Sequence, residues 1–455
     1  MEMRIVIVGD GKVGYALTEQ LSSEGHDVFV IDSNPKVLQN SMETLDVMVL
    51  EGNGVSLNVQ IEAGVPESDI LIAATSADET NLLCCIIAKK LGCKYTIARV
   101  RNPEYAEHTE FLKNDLGLSM TINPERRAAR EMFRLLQFPD FLKRDSFVRG
   151  RIELVELKVK DKSPMLGMKL SDLYATAKVK VLVCAVERSG EIHIPTGSFV
   201  LEKDDKITVA AQTIDLVTLI KNLKIRNYKI NEVIIIGGSN IAVYLSELLI
   251  ESDVEVKIIE KDYNRCLLLA DLVPEALIIH GDGSVKETLS SEGLQKTDAL
   301  ITLTNIDEEN IILSMYANYL GVPKTITKVN RIEYSEIFQE KGVDSMVSPK
   351  LLTASEIVRY VRSIDNNTDI AVLNLYRIAN GKAEALEFQV DSTIRNINVP
   401  LSQIKLRKGI LFVSFSRKGK MIIPNGNDVM KEGDLVVIVT SGSHMIQHLN
   451  DIFLD

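Results

Sequence analysis

Residues 4–21, RIVIVGDGKVGYALTEQL, lie over residues 232–249, EVIIIGGSNIAVYLSELL, at an offset of 228. LEGNGVS (50–56) then lies over IHGDGSV (279–285), and ILIAATSADETNLL (70–83) over ALITLTNIDEENII (299–312), at an offset of 229. Asp78, Glu79 and Asn81 meet Asp307, Glu308 and Asn310, and Arg99 meets Lys328. The intervening segment repeats too: Pro195-x-Gly197 meets Pro424-x-Gly426, and Asp205 meets Asp434. Self-similarity at half the chain length constrains the fold more than any single motif. The chain must build one two-part unit twice, in the order N1, C1, N2, C2. The N parts read as βαβ units, with short apolar β-branched runs followed by helical spacing. The C parts read as short alternating strands and turns. The expected fold is α/β. Two Rossmann-like, doubly wound parallel-sheet domains (1–140 and 229–368) alternate with two smaller β-rich α+β domains (141–228 and 369–455).

The start of N1 carries a ligand signature. Ile5-Val6-Ile7-Val8 reads as a buried parallel strand, and Gly9-Asp10-Gly11-Lys12-Val13-Gly14 fits G-x-G-x-x-G. Gly9 permits the tight turn, Gly11 lets a pyrophosphate approach the backbone, and Gly14 lets the helix lie close to the strand. The helix N-terminus then offers free N–H groups to phosphates. The next strand ends in Asp32, placed to accept from a ribose hydroxyl. Such an acid favours a free 2′-hydroxyl and disfavours a 2′-phosphate. Asp10 brings a negative charge to the loop and Lys12 a compensating positive one, if both are not simply solvated.

N2 departs from the pattern. It reads Gly237-Gly238-Ser239-Asn240-Ile241-Ala242, with Ser at the second glycine place and Ala at the third. The fingerprint tolerates the alanine, whereas the serine crowds the approach of a pyrophosphate. Glu260 still stands at the end of a strand as a ribose acceptor. N2 is therefore expected to bind weakly, to bind another nucleotide, or to be structural.

Other candidates lie where the strands end. Asn53, in Glu51-Gly52-Asn53-Gly54, is placed for an adenine edge. Ala74, Thr75 and Ser76 supply small residues where a dinucleotide needs room. Asp78, Glu79 and Thr80 are suited either to the ligand or to capping the next helix. Arg99 and Arg101 share a strand face, and Arg99 is the candidate phosphate partner. Two helical patterns follow within 99–141. The apolar run MFRLLQFPDFL (132–142) is expected to pack between N units or between chains.

Composition narrows the function. The chain of 455 residues is 45% hydrophobic, enough for several cores, and its net charge of −11 argues against nucleic acid as a partner. No apolar stretch reaches membrane-span length and no secretory signal opens the chain, so a soluble protein is expected. The five cysteines, Cys84, Cys85, Cys93, Cys184 and Cys266, show no metal spacing and read as reduced. His193 reads as a half-buried strand residue. His444 and His448, four apart in an expected last helix, lack a third ligand. No catalytic residues and no metal ligands are expected. One alternative is an NAD-dependent oxidoreductase that uses the C modules as substrate domains. It leaves a second, altered Rossmann unit without a purpose. Another is a free redox or adenylate sensor.

The chain resembles the Trk-system potassium-uptake regulatory proteins, the TrkA family, with its tandem RCK (KTN) domains. The match is carried by GDGKVG at 9–14, Asp32, TSADETN at 75–81, ARVRNPEY at 98–105, SPMLGMKLSDL at 163–173 and EIHIPTGSFVLEKDDKI at 191–207. The resemblance implies a peripheral cytoplasmic gating subunit at the inner face of the membrane. It implies a homo-oligomeric ring, expected to be tetrameric, under a membrane-embedded potassium transporter. NAD(H), and ATP or ADP, would bind the N domains. By position, Gly9 to Val13 would hold the pyrophosphate, Asp32 the ribose, Ala74 to Ser76 the far half of the ligand and Arg99 a phosphate. The N2 counterparts are Gly237 to Ile241, Glu260, Leu303 to Asn305 and Lys328.

Overall fold

Four consecutive β-branched residues, Ile5 to Val8, make the first strand fully buried on both faces. This strand, β1 (Arg4–Val8), is the centre of N1. It is followed by α1 (Lys12–Ser23), β2 (Asp27–Asp32), α2 (Pro35–Thr44), β3 (Met48–Glu51), α3 (Leu57–Glu62), β4 (Ile70–Ala73), α4 (Asp78–Leu91), β5 (Tyr95–Arg99), β6 (Met120–Ile122) and α5 (Pro124–Gln137). The strands form one parallel sheet in the order β3-β2-β1-β4-β5-β6. Register places Val8 beside Ile31 and Ala73, so the loops after β1, β2 and β4 emerge together at one edge. That edge, where strand order reverses between β1 and β4, is the binding edge of a doubly wound sheet. The computed structural model describes residues 3–102, 105, 115–147, 152–161, 163–223, 228–330, 338, 343, 345–364, 372–379, 382–441, 446 and 448–454.

C1 comprises β7 (Phe141–Phe147), β8 (Ile152–Lys158), α6 (Leu170–Ala177), β9 (Leu182–Arg188), β10 (Glu191–His193), β11 (Lys206–Ala211) and α7 (Thr213–Asn222). N2 repeats N1 with β12 (Glu232–Ile236), α8 (Asn240–Ile250), β13 (Glu255–Glu260), α9 (Tyr263–Leu272), β14 (Leu277–His280), α10 (Lys286–Ser291), β15 (Ala299–Thr302), α11 (Asp307–Tyr319), β16 (Lys324–Lys328), β17 (Ser345–Val347) and α12 (Pro349–Ile364). Its sheet order is β14-β13-β12-β15-β16-β17, the order of N1. C2 follows with β18 (Val372–Ile378), β19 (Ala383–Gln389), β20 (Ile410–Arg417), β21 (Lys420–Ile422) and β22 (Leu435–Thr440). The chain divides into two compact units, one holding both parallel sheets and the other both antiparallel sheets.

In the first unit, alternation along β1 feeds two cores. Val6 and Val8 join Cys84, Cys85 and Ala88 of α4 on one face. Ile5 and Ile7 join Leu17 and Leu21 of α1 on the other, where Ala354, Ile357, Val358 and Val361 of α12 complete the cluster. The last helix of N2 is thus part of the core of N1. Arg362 of α12 clamps Glu24 with two hydrogen bonds, at 2.9 and 2.6 Å. Arg127 of α5 lies 3.3 Å from Glu356 of α12, and Asn123 donates to the Tyr244 hydroxyl of α8 at 3.1 Å. The two N domains therefore interlock.

In the second unit, the sheets run β10-β9-β11-β8-β7 and β18-β19-β22-β20-β21, each with its own core. Ala185 and Ala210 of C1 and Ala383 and Ala385 of C2 lie in a further shared core, where small residues let the two modules approach closely. The repeated acids have one job in both copies. Arg188 pairs Asp205 through two hydrogen bonds of 2.8 Å, and Arg417 pairs Asp434 at 2.8 and 2.7 Å. Arginine matches a carboxylate in this two-pronged way.

Three expectations change. The run 132–142 does not lie wholly between N units, because Phe138 and Phe141 pack into the core of C1. A sixth strand, β6, follows the fifth, where only helical patterns were expected. His448 is not within a last helix: it caps a 3-10 turn (Leu449–Ile452), its Nδ1 accepting from the Asn450 N–H at 3.1 Å. His444 lies outside the described residues. Among the described residues, no helix is long and apolar enough to cross a membrane and no group of acids, histidines and cysteines could hold a metal ion. All five cysteines are buried free thiols.

Candidate functional site

The turn after β1 is built by glycines with separate reasons. Gly9 has φ of +96°, and a Cβ there would lie 2.8 Å from the Thr75 backbone nitrogen. Gly14 lies so close beneath the loop that a Cβ would sit 1.8 Å from the Gly9 carbonyl oxygen. At Gly11 a Cβ would meet nothing within 4 Å. Space there opens outward, at the N-terminus of α1, where a phosphate would approach free N–H groups. Asp32 ends β2 with Oδ2 accepting from the Asp10 N–H at 2.7 Å and Oδ1 accepting from the Asn34 N–H at 2.9 Å. A carboxylate has about four lone-pair sites, so Asp32 retains capacity for ribose hydroxyls.

A cleft of about 780 Å³ opens over this edge. It brings together Gly9, Gly11, Lys12, Val13, Asp32, Asn53, Ala74, Thr75, Ser76 and Arg99. Its far wall is N2: Ser239, Asn240, Ile241, Asn305, Lys328 and Asn330. The glycine loop of N1 and Ser239 to Ile241 of the N2 loop thus face one cavity. Asp10, Gly14, Gly237, Gly238 and Glu260 do not line it. Asp10 is buried under the loop, which removes the solvated alternative for it, while Lys12 is exposed. Asn53 uses its Oδ1 to accept from the Val55 N–H at 3.1 Å.

Arg99 enters the cleft loosely held. Its Nη1 donates to the Thr75 carbonyl at 3.4 Å, its Nη2 lies 3.7 Å from Glu125 Oε1, and its Nε is buried with no hydrogen-bond partner. Burial pushes the Arg99 guanidinium down and the Glu125 carboxyl up, each partly offset by the other's charge. An anion in the cleft would supply what this loose pair lacks. Arg101 turns away, donating to the Ser76 carbonyl and standing 3.7 Å from Asp78. Asp78 caps no helix through its side chain. Its Oδ2 accepts from the Arg101 and Asn102 N–H groups, both at 2.7 Å, and fixes the loop after β5. Asn81 accepts from the Thr75 N–H at 2.8 Å and donates to the Arg99 carbonyl at 2.9 Å, tying β4 to β5 beside the cleft.

The N2 loop is arranged differently. Glu260 repeats the role of Asp32 toward the backbone, accepting from the Gly238 N–H at 2.6 Å and the Asp262 N–H at 2.8 Å. Arg265 then crosses the loop, donating to the Gly238 carbonyl at 2.5 Å and to Asn240 Oδ1 at 3.0 Å. The matching N1 position is Val37, which lines the open cleft. Ser239 Oγ is buried with no hydrogen-bond partner. Lys328 Nζ donates to the Thr304 carbonyl at 2.9 Å, and burial, with the nearby charge of Lys12, pushes its ammonium down.

The TrkA-N domain family matches residues 5–124 and 233–349, and the TrkA-C domain family matches residues 154–224 and 386–453. The chain belongs to the TrkA family. A "Trk system potassium uptake protein TrkA homolog" of Archaeoglobus fulgidus is 31% identical over 451 residues, covering 99% of this chain and 100% of its own length. The "Trk system potassium uptake protein TrkA" of Haemophilus influenzae is 30% identical over 458 residues, 99% of this chain and 98% of its own. Among solved structures, the GsuK RCK domain aligns with a TM-score of 0.64 at 18% identity, over 97% of this chain and 93% of its own. A GsuK channel bound to NAD aligns with a TM-score of 0.62 at 19% identity, over 97% of this chain and 77% of its own. These structures share the fold of this TrkA-family chain.

Sequence reading missed Glu125 and Lys350, which both line the cleft. They stand at the starts of α5 and α12, in INPERR and VSPKLL. The signal was present, since a Pro at the first turn marks a helix start. The offset there drops to 225, outside the aligned repeat.

Proposed function

We propose that the chain is a peripheral regulatory subunit of a potassium-uptake system. It binds NAD(H), with ATP or ADP as further ligands, and passes that binding to a membrane-embedded transporter. It does so as a homo-oligomeric ring at the cytoplasmic face of the membrane. One observation carries this reading: a single cleft is walled by the glycine loop of N1 and by the loops of N2. A ligand in N1 would touch both domains, so its affinity would depend on how they are arranged. A ligand shifts a two-state assembly only through such differential affinity, and a tenfold difference amounts to about 1.4 kcal/mol per site. The named relatives belong to potassium uptake, and the NAD-bound GsuK channel has the same fold.

In this reading the N–H groups of Gly11 to Val13 hold a pyrophosphate, Asp32 accepts from the ribose, and Arg99 meets a phosphate. The nicotinamide has no assigned chemistry, because the ligand is a signal. Calorimetry with NADH, NAD+, ATP, ADP and NADPH tests this. The expected result is about one site per chain, with NADPH weakest and binding lost in Asp32→Ala. Absence of binding by all five would remove the nucleotide reading.

A further inference from the structure

The glycine loop of N1 carries an acid that the cleft does not use. Asp10 is 2% exposed and turned beneath the loop. Ser41 of α2 donates to its Oδ2 at 2.6 Å, and its Oδ1 is buried without a hydrogen-bond partner. Its backbone N–H meanwhile donates to Asp32 Oδ2 at 2.7 Å. Two carboxyl groups are thus joined through one peptide, one under the loop and one at the cleft. The charged group acting on Asp10 from β2 is Asp32. α2 presents the Ser41 hydroxyl and carries Lys36, which is exposed, and α1 carries Lys12, also exposed. Among the described residues, no ion pair reaches Asp10.

N2 shows that the turn can be built without this acid. Gly238 stands at the position of Asp10, and Leu269 at that of Ser41. A methyl on Gly238 would lie 2.4 Å from Leu269 Cδ1, so leucine fills the volume that the acid and the serine fill in N1. A buried carboxyl with one orphaned oxygen is costly. N1 therefore carries a destabilising group that its fold does not require, directly behind the anion-binding edge. Costs of this kind collect at functional sites.

We propose that Asp10 links nucleotide binding in N1 to proton uptake, as a positioning residue that becomes neutral when a pyrophosphate lies over the loop. The inference rests on reading N1 as the nucleotide site. Burial pushes the Asp10 carboxyl up to about 6, the Ser41 hydrogen bond opposes this, and the charge of Asp32 adds to it. A pyrophosphate would bring further negative charge and raise the carboxyl again. Ligand and proton therefore favour each other. Affinity rises as pH falls, and levels off once Asp10 is protonated in the free protein, below about 6. Stability of the free protein has the same sign. An ordinary aspartate titrates near ~3.9, so raising it in the folded state removes stability as pH climbs from there toward the folded value.

The test uses NAD+, whose pyrophosphate does not titrate in this range, with the full chain and Asp10→Asn. Calorimetry is run from about pH 5.5 to 8 in buffers of different ionisation enthalpy, and urea unfolding from about pH 4 to 7. The wild type should bind several-fold to about tenfold more tightly at the acid end, with net proton uptake, and Asp10→Asn should show neither. The wild type should also lose stability relative to Asp10→Asn as pH rises from about 4 to 6. NAD+ binding with a flat profile, or a slope kept in Asp10→Asn, overturns the proposal. So do superimposable stability profiles of the two proteins. No NAD+ binding at any pH overturns NAD+ as the N1 ligand, and this inference with it, while the wider nucleotide reading falls only if NADH, ATP, ADP and NADPH also fail to bind.

Discussion

The glycines of N1 look equivalent in sequence and are not equivalent in space. Gly14 is held by the fold, because its missing Cβ makes room for the Gly9 carbonyl. Gly11 is held by nothing in the chain. Substitutions should separate the two roles. Gly14→Ala should cost about 1–3 kcal/mol or more by overpacking, read by urea unfolding. Gly11→Ala should change stability by no more than about 1 kcal/mol, since alanine is a poor cap, yet weaken nucleotide binding by about tenfold or more. Equal stability losses in both would mean that Gly11 serves the turn alone. The motif and the acid at Asp32 were legible because both belong to one short strand–turn–helix–strand unit. The burial of Asp10 was not legible. A sequence shows its charge, but the cover comes from Ser41, on a helix that begins beyond the next strand.

Elements repeat this contrast between local and distant causes. The strand runs and helix spacings of N1 and N2 could be read along the chain, since alternation and 3.6-residue periodicity are local. The home of α12 could not. Its apolar face needs a core, and the sequence does not say whose. The structure sends Ile357, Val358 and Val361 to the core of N1, more than 300 residues earlier in the chain by the pairing of Arg362 with Glu24. Ile357→Ala should therefore cost about 2–5 kcal/mol, as a buried large-to-small change does. The loss should be felt in N1. Hydrogen exchange should show the amides of α1 losing protection along with those of α12. Faster exchange confined to N2 would contradict the shared core.

At the scale of the molecule, the two copies have diverged where they meet. Arg99 and Glu125 on the N1 wall are a cation and an acid, whereas Lys328 and Lys350 at the matching places of N2 are both cations. Lys12 adds a fourth cation, from N1, close enough to push the Lys328 ammonium down. An internal duplication with no shared ligand has no reason to concentrate positive charge at its seam, since like charges repel and gain nothing in folding. An anionic ligand reaching across from N1 would supply the reason, and would make N2 a sensor of occupancy without a site of its own. Lys350→Ala is the cleaner probe, because Lys328 also serves the Thr304 carbonyl. It should weaken ATP by about tenfold, ~1.4 kcal/mol, and affect a ligand with fewer phosphate charges less. The loss should shrink as salt is raised, since screening weakens partly exposed charges first. Unchanged ATP affinity, with the unfolding curve also unchanged, would mean that N1 holds its ligand alone. The coupling between the N domains would then have to pass through α12 and its core.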